Sequence, residues 1–142
     1  MRSSREGPER GDGVLPDPRR GFVLDAGAFI ALEGRDGTMK RLAERFVRER
    51  TPLVTSAGVV AQIWRGGTGS QAPVAFLLTK TTIVDLTDAV ARVVGRVLGR
   101  RGTRDPIDAH VALLAHERDW TVITSDPDDL LAIDPTLTVE RV

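Results

Sequence analysis

The chain has 142 residues, 41% of them hydrophobic, which is enough for one core and too little for two. Its 20 Lys and Arg balance 20 Asp and Glu, so neither a globally basic nucleic-acid coat nor an acidic solvating tail describes it. Cysteine is absent, which excludes disulfides, thiolate zinc sites and a Cys nucleophile, and no apolar run approaches the roughly 18 residues of a membrane helix.

The N-terminus mixes charges of both signs and has no apolar h-region, so it does not read as a secretory signal. A soluble cytoplasmic domain is expected. Residues 1–20 carry Gly7, Gly11, Gly13, Pro16 and Pro18 among interleaved charges and read as a disordered arm. Residues 21–142 are expected to form the single folded domain. Phe22-Val23-Leu24 reads as a buried strand ending at Asp25. Ala28–Leu32 reads as a short helix ended by Gly34. Met39, Leu42, Ala43, Phe46 and Val47 recur at helical spacing with Arg41, Arg45 and Arg48 opposite, and Thr51-Pro52 breaks that helix.

Leu53-Val54 is a second strand. Ser56 is a good N-cap for a helix through Val59, Val60 and Ile63, with Gly66-Gly67 at its end. A helix is expected over Ala72–Leu78, and a β-branched strand over Thr81–Asp85. Thr87 caps a helix whose apolar stripe is Val90, Val93, Val94, Val97 and Leu98; Gly102 ends it. Asp105-Pro106 opens the next helix, buried through Ile107, Val111, Leu114 and Ala115. Trp120–Thr124 is a fourth strand, Asp126-Pro127 starts a short helix, and Leu137–Val139 is the last strand. Strands alternating with helices indicate an α/β fold with a central, mostly parallel sheet of four to five strands flanked by helices.

Ligands of open α/β sheets bind beyond the carboxyl ends of the strands. The first strand ends at Asp25, and Gln62 lies on the helix after the second. Asp105 and Asp108 open the helix before the fourth strand. That strand ends in Thr124-Ser125-Asp126, followed by Asp128 and Asp129. Carboxylates from distant segments therefore converge on one sheet edge. Two like charges about 4 Å apart repel by roughly 4 kcal/mol at an effective dielectric of 20, so the cluster needs protons or a cation. Hard oxygen ligands suit Mg2+ or Mn2+, which activate water for attack on a phosphodiester. Asp105 and Asp126 equally suit helix N-caps. Asp25 and Asp108 follow apolar residues, where a capping role explains them less well.

The segments Val23–Leu32, Asp108–Ala115 and Thr124–Leu130 together resemble the PIN domain family, closest to VapC-type toxins of bacterial toxin–antitoxin pairs. The resemblance runs from about Gly21 to the C-terminus and implies a single PIN-like domain acting as a Mg2+-dependent endoribonuclease. It implies that Asp25 and Asp108 bind the metal and that Asp126 completes the catalytic acidic pocket. Thr124, Ser125, Asp105 and Asp129 would support them. The family usually places a Glu on the helix after the second strand; here Gln62 stands at that position. Gln keeps an oxygen ligand and removes one negative charge, which leaves a degenerate RNA- or protein-binding module without catalysis as the alternative. The resemblance also implies an RNA substrate, a small antitoxin docking around Phe29, Leu32, Leu42 and Phe46, and allows a homodimer.

Other features carry less. His110 and His116 do not share a helical face, so they read as ordinary core or surface histidines. Trp64 and Trp120 suit half-buried core roles or base stacking. Trp64-Arg65-Gly66-Gly67 reads equally as an Arg beside the pocket or a glycine-capped helix end. Arg92, Arg96, Arg100, Arg101 and Arg104 read as a phosphate contact or a solvated face. Asp85 as a phosphoacceptor would want a Lys at a late strand end, and Lys40 and Lys80 lie elsewhere.

Overall fold

Short apolar runs and amphipathic segments alternate in the sequence, and strands and helices alternate in space. The computed structural model describes residues 20–102 and 105–142. In chain order these form β1 (Phe22–Leu24), α1 (Ala26–Glu33), α2 (Gly37–Glu49), β2 (Leu53–Ser56), α3 (Ala57–Ile63), a 3-10 turn (Gly69–Gln71), α4 (Ala72–Thr79), β3 (Thr82–Val84), α5 (Asp88–Arg101), α6 (Pro106–Arg118), β4 (Thr121–Thr124), α7 (Pro127–Ile133) and β5 (Val139–Arg141). The expected N-terminal arm lies outside the described residues except for Arg20, as does Arg104. The Arg20 guanidinium donates to the Asp119 carboxylate at 2.9 Å.

All five strands pair in parallel, in the order β3-β2-β1-β4-β5. Parallel neighbours need long crossovers, and the helices supply them. The chain steps outward from β1 to β3, then returns to place β4 on the other side of β1. The connections therefore change direction between β1 and β4, which opens a crevice beyond the carboxyl ends of those two strands.

The central strands are covered on both faces: Val23, Leu24, Leu53, Val54, Val122 and Ile123 are at most 5% exposed. That explains their continuous apolar character. The edge strands carry exposed Thr82, Ile83, Glu140 and Arg141. Thr87 caps α5 by accepting from the Val90 amide at 3.2 Å, and Gly102 ends it in the left-handed region at φ 69°. A left-handed Gly102 avoids the Cβ clash that other residues would meet there.

Several boundaries shift by one to three residues from expectation, and three of the shifts have a visible cause. Helix α1 begins at Ala26, because Asp25 is its N-cap. Thr81 lies in the turn after α4, its hydroxyl donating to the Leu77 carbonyl at 2.8 Å, so β3 starts one residue later. Leu137 is held by the Asp134 carbonyl at 3.2 Å in a turn, which delays β5 to Val139. The docking surface expected around Phe29, Leu32, Leu42 and Phe46 is largely closed. Phe29, Leu32 and Phe46 are 0%, 5% and 2% exposed and fill the core under α1 and α2. Burying a side chain such as Phe29 contributes about 1.5–3 kcal/mol, which keeps these residues inward. The open surface lies on the neighbouring flank, where α1, α2 and α4 border a groove of about 700 Å³.

Candidate active site

Asp25 is the first residue beyond β1 and the N-cap of α1, only 7% exposed. One carboxylate oxygen accepts from the Ala26 amide at 2.8 Å, and the other accepts from the Thr124 hydroxyl at 2.8 Å. The Thr124 oxygen in turn accepts from the Asp126 amide at 3.0 Å. The Asp25 amide donates to the Ile123 carbonyl at 3.0 Å. These bonds tie the ends of β1 and β4 into one unit on the crevice. Ser125 packs where α1 passes closest. A Cβ on Gly27 would sit 2.2 Å from the Ser125 hydroxyl and 2.6 Å from its amide nitrogen, so only glycine fits there.

Asp105 and Asp108 reach the same crevice from the first turn of α6. Asp105 behaves as a cap, one oxygen accepting from the Ile107 and Asp108 amides at 2.9 and 3.2 Å. Asp126 occupies the N-cap position of α7, yet its side chain makes no capping bond and is exposed. The cap reading therefore holds for Asp105, while the Asp126 carboxylate is left open for another partner. Asp129 stands in the first turn of α7.

Electrostatics join these groups. Burial raises the Asp25 carboxyl above its ordinary value against the hydrogen bonds from Thr124 and Ala26, and Asp105 and Asp126 push the same way. Burial, then the charges of Asp105, Asp25 and Asp129, push half-buried Asp108 up to about 7. Five carboxylates from β1, α6 and α7 thus share one field, with no cation among the described residues to balance them. Hard oxygens and excess negative charge suit a hard divalent cation. Among the described residues no three acidic or His side chains lie close enough to hold a metal by themselves.

The remaining sequence candidates are placed as follows. Gln62 is exposed on the last turn of α3, with no hydrogen bond among the described residues. The Arg65 guanidinium donates to the Trp64 carbonyl at 2.7 Å, and Gly66 and Gly67 take positive φ beyond the helix, so the helix-end reading describes that stretch. His110 is a core residue paired through Nδ1 with the Ser56 hydroxyl at 2.7 Å, and burial lowers its pKa. His116 is a surface residue. Trp64 is exposed; Trp120 is half-buried with the Arg118 guanidinium over its ring at 5.9 Å.

Sequence reading missed Gln71. It is 4% exposed, donates to the Ile63 carbonyl and Glu33 carboxylate, and accepts from the Arg65 and Gly67 amides. It fixes the end of α3, the helix bearing Gln62. No local pattern marks a glutamine as buried; only its position before Ala72-Pro73, where a helix begins, gave a hint.

The raised Asp108 carboxyl has a consequence for stability. From about pH 4 to about 7 the folded chain holds a proton that the unfolded chain has lost, so stability falls as pH rises through that window. Asp108→Asn removes the Asp108 share of this dependence and leaves the share of Asp25, which is raised as well. The metal-free variant at pH 8 is expected to melt about 4–8 °C above the parent, read by calorimetry. Equal melting temperatures at pH 5 and 8 in the parent would contradict the repulsion.

A family profile described as the PIN domain matches residues 22–134. Among solved structures, the chain is similar to VapBC2 from Rickettsia felis bound to a DNA fragment from their promoter, with TM-score 0.63 and 17% identity over 85% of this chain and 98% of that one. It is similar to DNA-bound VapBC from Salmonella typhimurium, with TM-score 0.62 and 20% identity over 86% of this chain and 98% of that one. FitAcB from Neisseria gonorrhoeae gives TM-score 0.53 and 18% identity over 83% of this chain and 95% of that one. At such identities the likeness is one of fold. Comparison with curated proteins gives no match.

Proposed function

The chain belongs to the PIN domain family, and from that premise we propose that it is a Mg2+-dependent endoribonuclease, the toxin of a toxin–antitoxin pair. The observation that carries this reading is the crowding of Asp25, Asp105, Asp108, Asp126 and Asp129 on one crevice, where burial and then the neighbouring charges push Asp108 up to about 7. A site this negative calls for a cation, and the bound cation attracts a polyanion.

Asp25 and Asp108 would hold the metal. When bound, Mg2+ supplies activation of water for in-line attack on a phosphodiester and charge neutralisation at the leaving oxygen. Thr124 fixes the Asp25 carboxylate by its 2.8 Å hydrogen bond, so the ligand is oriented before substrate arrives. The Asp126 carboxylate makes no capping bond and would be available to orient a water at the crevice. Asp105 keeps Asp108 at the helix start through the 3.2 Å bond to its amide. Gly27 lets α1 pack closely against Ser125.

The test is cleavage of a single-stranded RNA by the full chain with Mg2+, compared with EDTA. Cleavage with Mg2+ alone is expected; an intact RNA in both arms overturns the reading. Gln62 favours one second reading, a binding module without catalysis. Mg2+-dependent turnover that Asp108→Asn abolishes excludes it.

VapBC and FitAcB among the similar structures support an antitoxin partner. Its place is the groove of about 700 Å³ floored by Leu32, Ala43, Val47 and Leu77, where Phe76 stands 55% exposed. Arg35, Lys40 and Arg48 rim it against a single Glu44, which suits an acidic amphipathic segment. Phe76→Glu is expected to weaken capture of the cognate antitoxin about 10-fold or more while RNA cleavage persists. Undiminished capture would move the partner elsewhere.

A further inference from the structure

A cavity of about 360 Å³ opens between the end of α5, one stripe of α6 and the connection from α7 to β5. The acidic crevice does not use it. Ala112 and its neighbours on α6 leave room for the recess, and its polar lining is Arg100, Arg101, His116, Asp134 and Thr136. Arg100 and Arg101 have no ion pair or hydrogen bond among the described residues. Arg92, two turns earlier on α5, is by contrast engaged by Asp88 at 3.1 Å.

The single acid in the recess is already engaged. Asp134 accepts from the Thr136 amide at 2.9 Å, the Thr136 hydroxyl at 2.6 Å and His116 Nδ1 at 3.0 Å. Burial by itself would raise its carboxyl, and these bonds outweigh it and hold the group below the ordinary range. Asp134 accepts from the Nδ1–H of His116, and in the doubly protonated ring Nε2–H is a second donor. The recess thus gathers two unengaged guanidiniums and an imidazole held by a carboxylate whose charge is met by three hydrogen bonds.

That donor set fits a tetrahedral oxyanion. We propose that this recess is a phosphate-binding subsite, taking a backbone phosphodiester of an RNA strand whose scissile bond lies at the acidic crevice. The proposal rests on the nuclease reading above and adds a second anchor to it. Spacing is compatible. Asp108 and His116 stand on one helix, about 12 Å apart along its axis at 1.5 Å per residue. At roughly 3.4 Å or more per phosphate, one strand spans that distance in at most about four nucleotides.

The experiment measures RNA binding and cleavage separately. Binding of a fluorescent single-stranded RNA 12-mer is followed by anisotropy in EDTA across a salt series. The proteins are the parent, Arg100→Gln/Arg101→Gln, His116→Ala, and the control Arg41→Gln/Arg45→Gln, which removes equal charge from α2. The recess double variant is expected to bind about 10-fold more weakly. Its log K against log salt slope should fall by about 1.4, two contacts at about 0.7 each. The control should keep the parent slope. Cleavage with Mg2+ should show a raised KM and an unchanged kcat in the recess variants.

Parent affinity and slope in the recess double variant overturn the proposal, whether or not the protein cleaves RNA. Absence of cleavage with the predicted slope change overturns the nuclease reading and leaves the subsite standing. Titration with inorganic phosphate separates the sources. If it shifts the His116 ring resonances while RNA affinity is insensitive to the double variant, the recess takes free phosphate and the RNA assignment is wrong.

Discussion

Asp25→Asn is expected to lower Mg2+-dependent RNA cleavage by about 10³-fold or more while leaving the fold intact. A loss of that size corresponds to about 4 kcal/mol of transition-state stabilisation, within reach of one group that holds charge at the reacting centre. The substitution is nearly isosteric, and the local bonds show why it should be tolerated. The Asp25 carboxylate accepts from the Ala26 amide and the Thr124 hydroxyl, each at 2.8 Å. An Asn oxygen keeps one of these bonds. The Thr124 hydroxyl rotates to accept from the new amide and already accepts from Asp126. Removing a buried charge also relieves its neighbours, so Asp108 should titrate below its parent value. The melting temperature should hold or rise. Asp25→Ala is a poorer probe, because it strands the fully buried Thr124 hydroxyl at a cost of about 1–3 kcal/mol. Parent turnover in a folded Asp25→Asn protein would remove Asp25 from the chemistry.

Much of this geometry is legible in the sequence, because apolar runs and strand-end acids are local signals. Phe22–Leu24, Leu53-Val54 and Val122-Ile123 read as buried parallel strands and occupy the sheet centre. Asp25 follows the first run directly, so its place at a sheet edge follows from the strand assignment alone. What distinguishes Asp105 from Asp126 is not local. Both precede Pro and open a helix, yet only Asp105 caps. Asp126 sits at φ −127° and ψ 68°, outside the extended geometry of the other aspartate caps. That conformation is set by the Thr124 hydroxyl taking its amide, a bond that depends on β4 meeting β1. The Ser56–His110 and Gln71–Glu33 pairs join residues 54 and 38 apart in the chain, beyond any spacing rule. The burial of Phe29 and Phe46, expected at a docking surface, has the same origin. Helical spacing identifies the apolar face of α2 but not which part of it the sheet covers, and Phe46 is covered while Val47 borders the open groove.

Gln62→Glu is expected to tighten Mg2+ binding by about 10–100-fold, the range seen when a supporting carboxylate is gained or lost at a metal site. Gln62 lies about 9 Å along α3 from its cap Ser56, at 1.5 Å per residue. Ser56 itself is bonded to His110, two residues beyond Asp108. Helix α3 is therefore tied to the same framework as the acidic crevice, and Gln71 pins its far end at the Ile63 carbonyl, 2.6 Å away. A Glu at this exposed position has the freedom to turn toward bound cation. The sign of the effect reverses without metal. A further negative charge brought toward the crevice is expected to raise the Asp108 carboxyl, already pushed up to about 7, and to destabilise the metal-free fold. The variant should melt below the parent in EDTA and gain more from saturating Mg2+, because stabilisation grows as RT ln(1 + [L]/Kd). At 100 times Kd that gain is about 2.7 kcal/mol, several degrees in melting temperature for a domain of this size. Opposite shifts in the two conditions separate a charge acting at the metal from a general change in helix stability, which would move both melting points together. Superimposable Mg2+ titrations of variant and parent would place Gln62 outside the metal's reach.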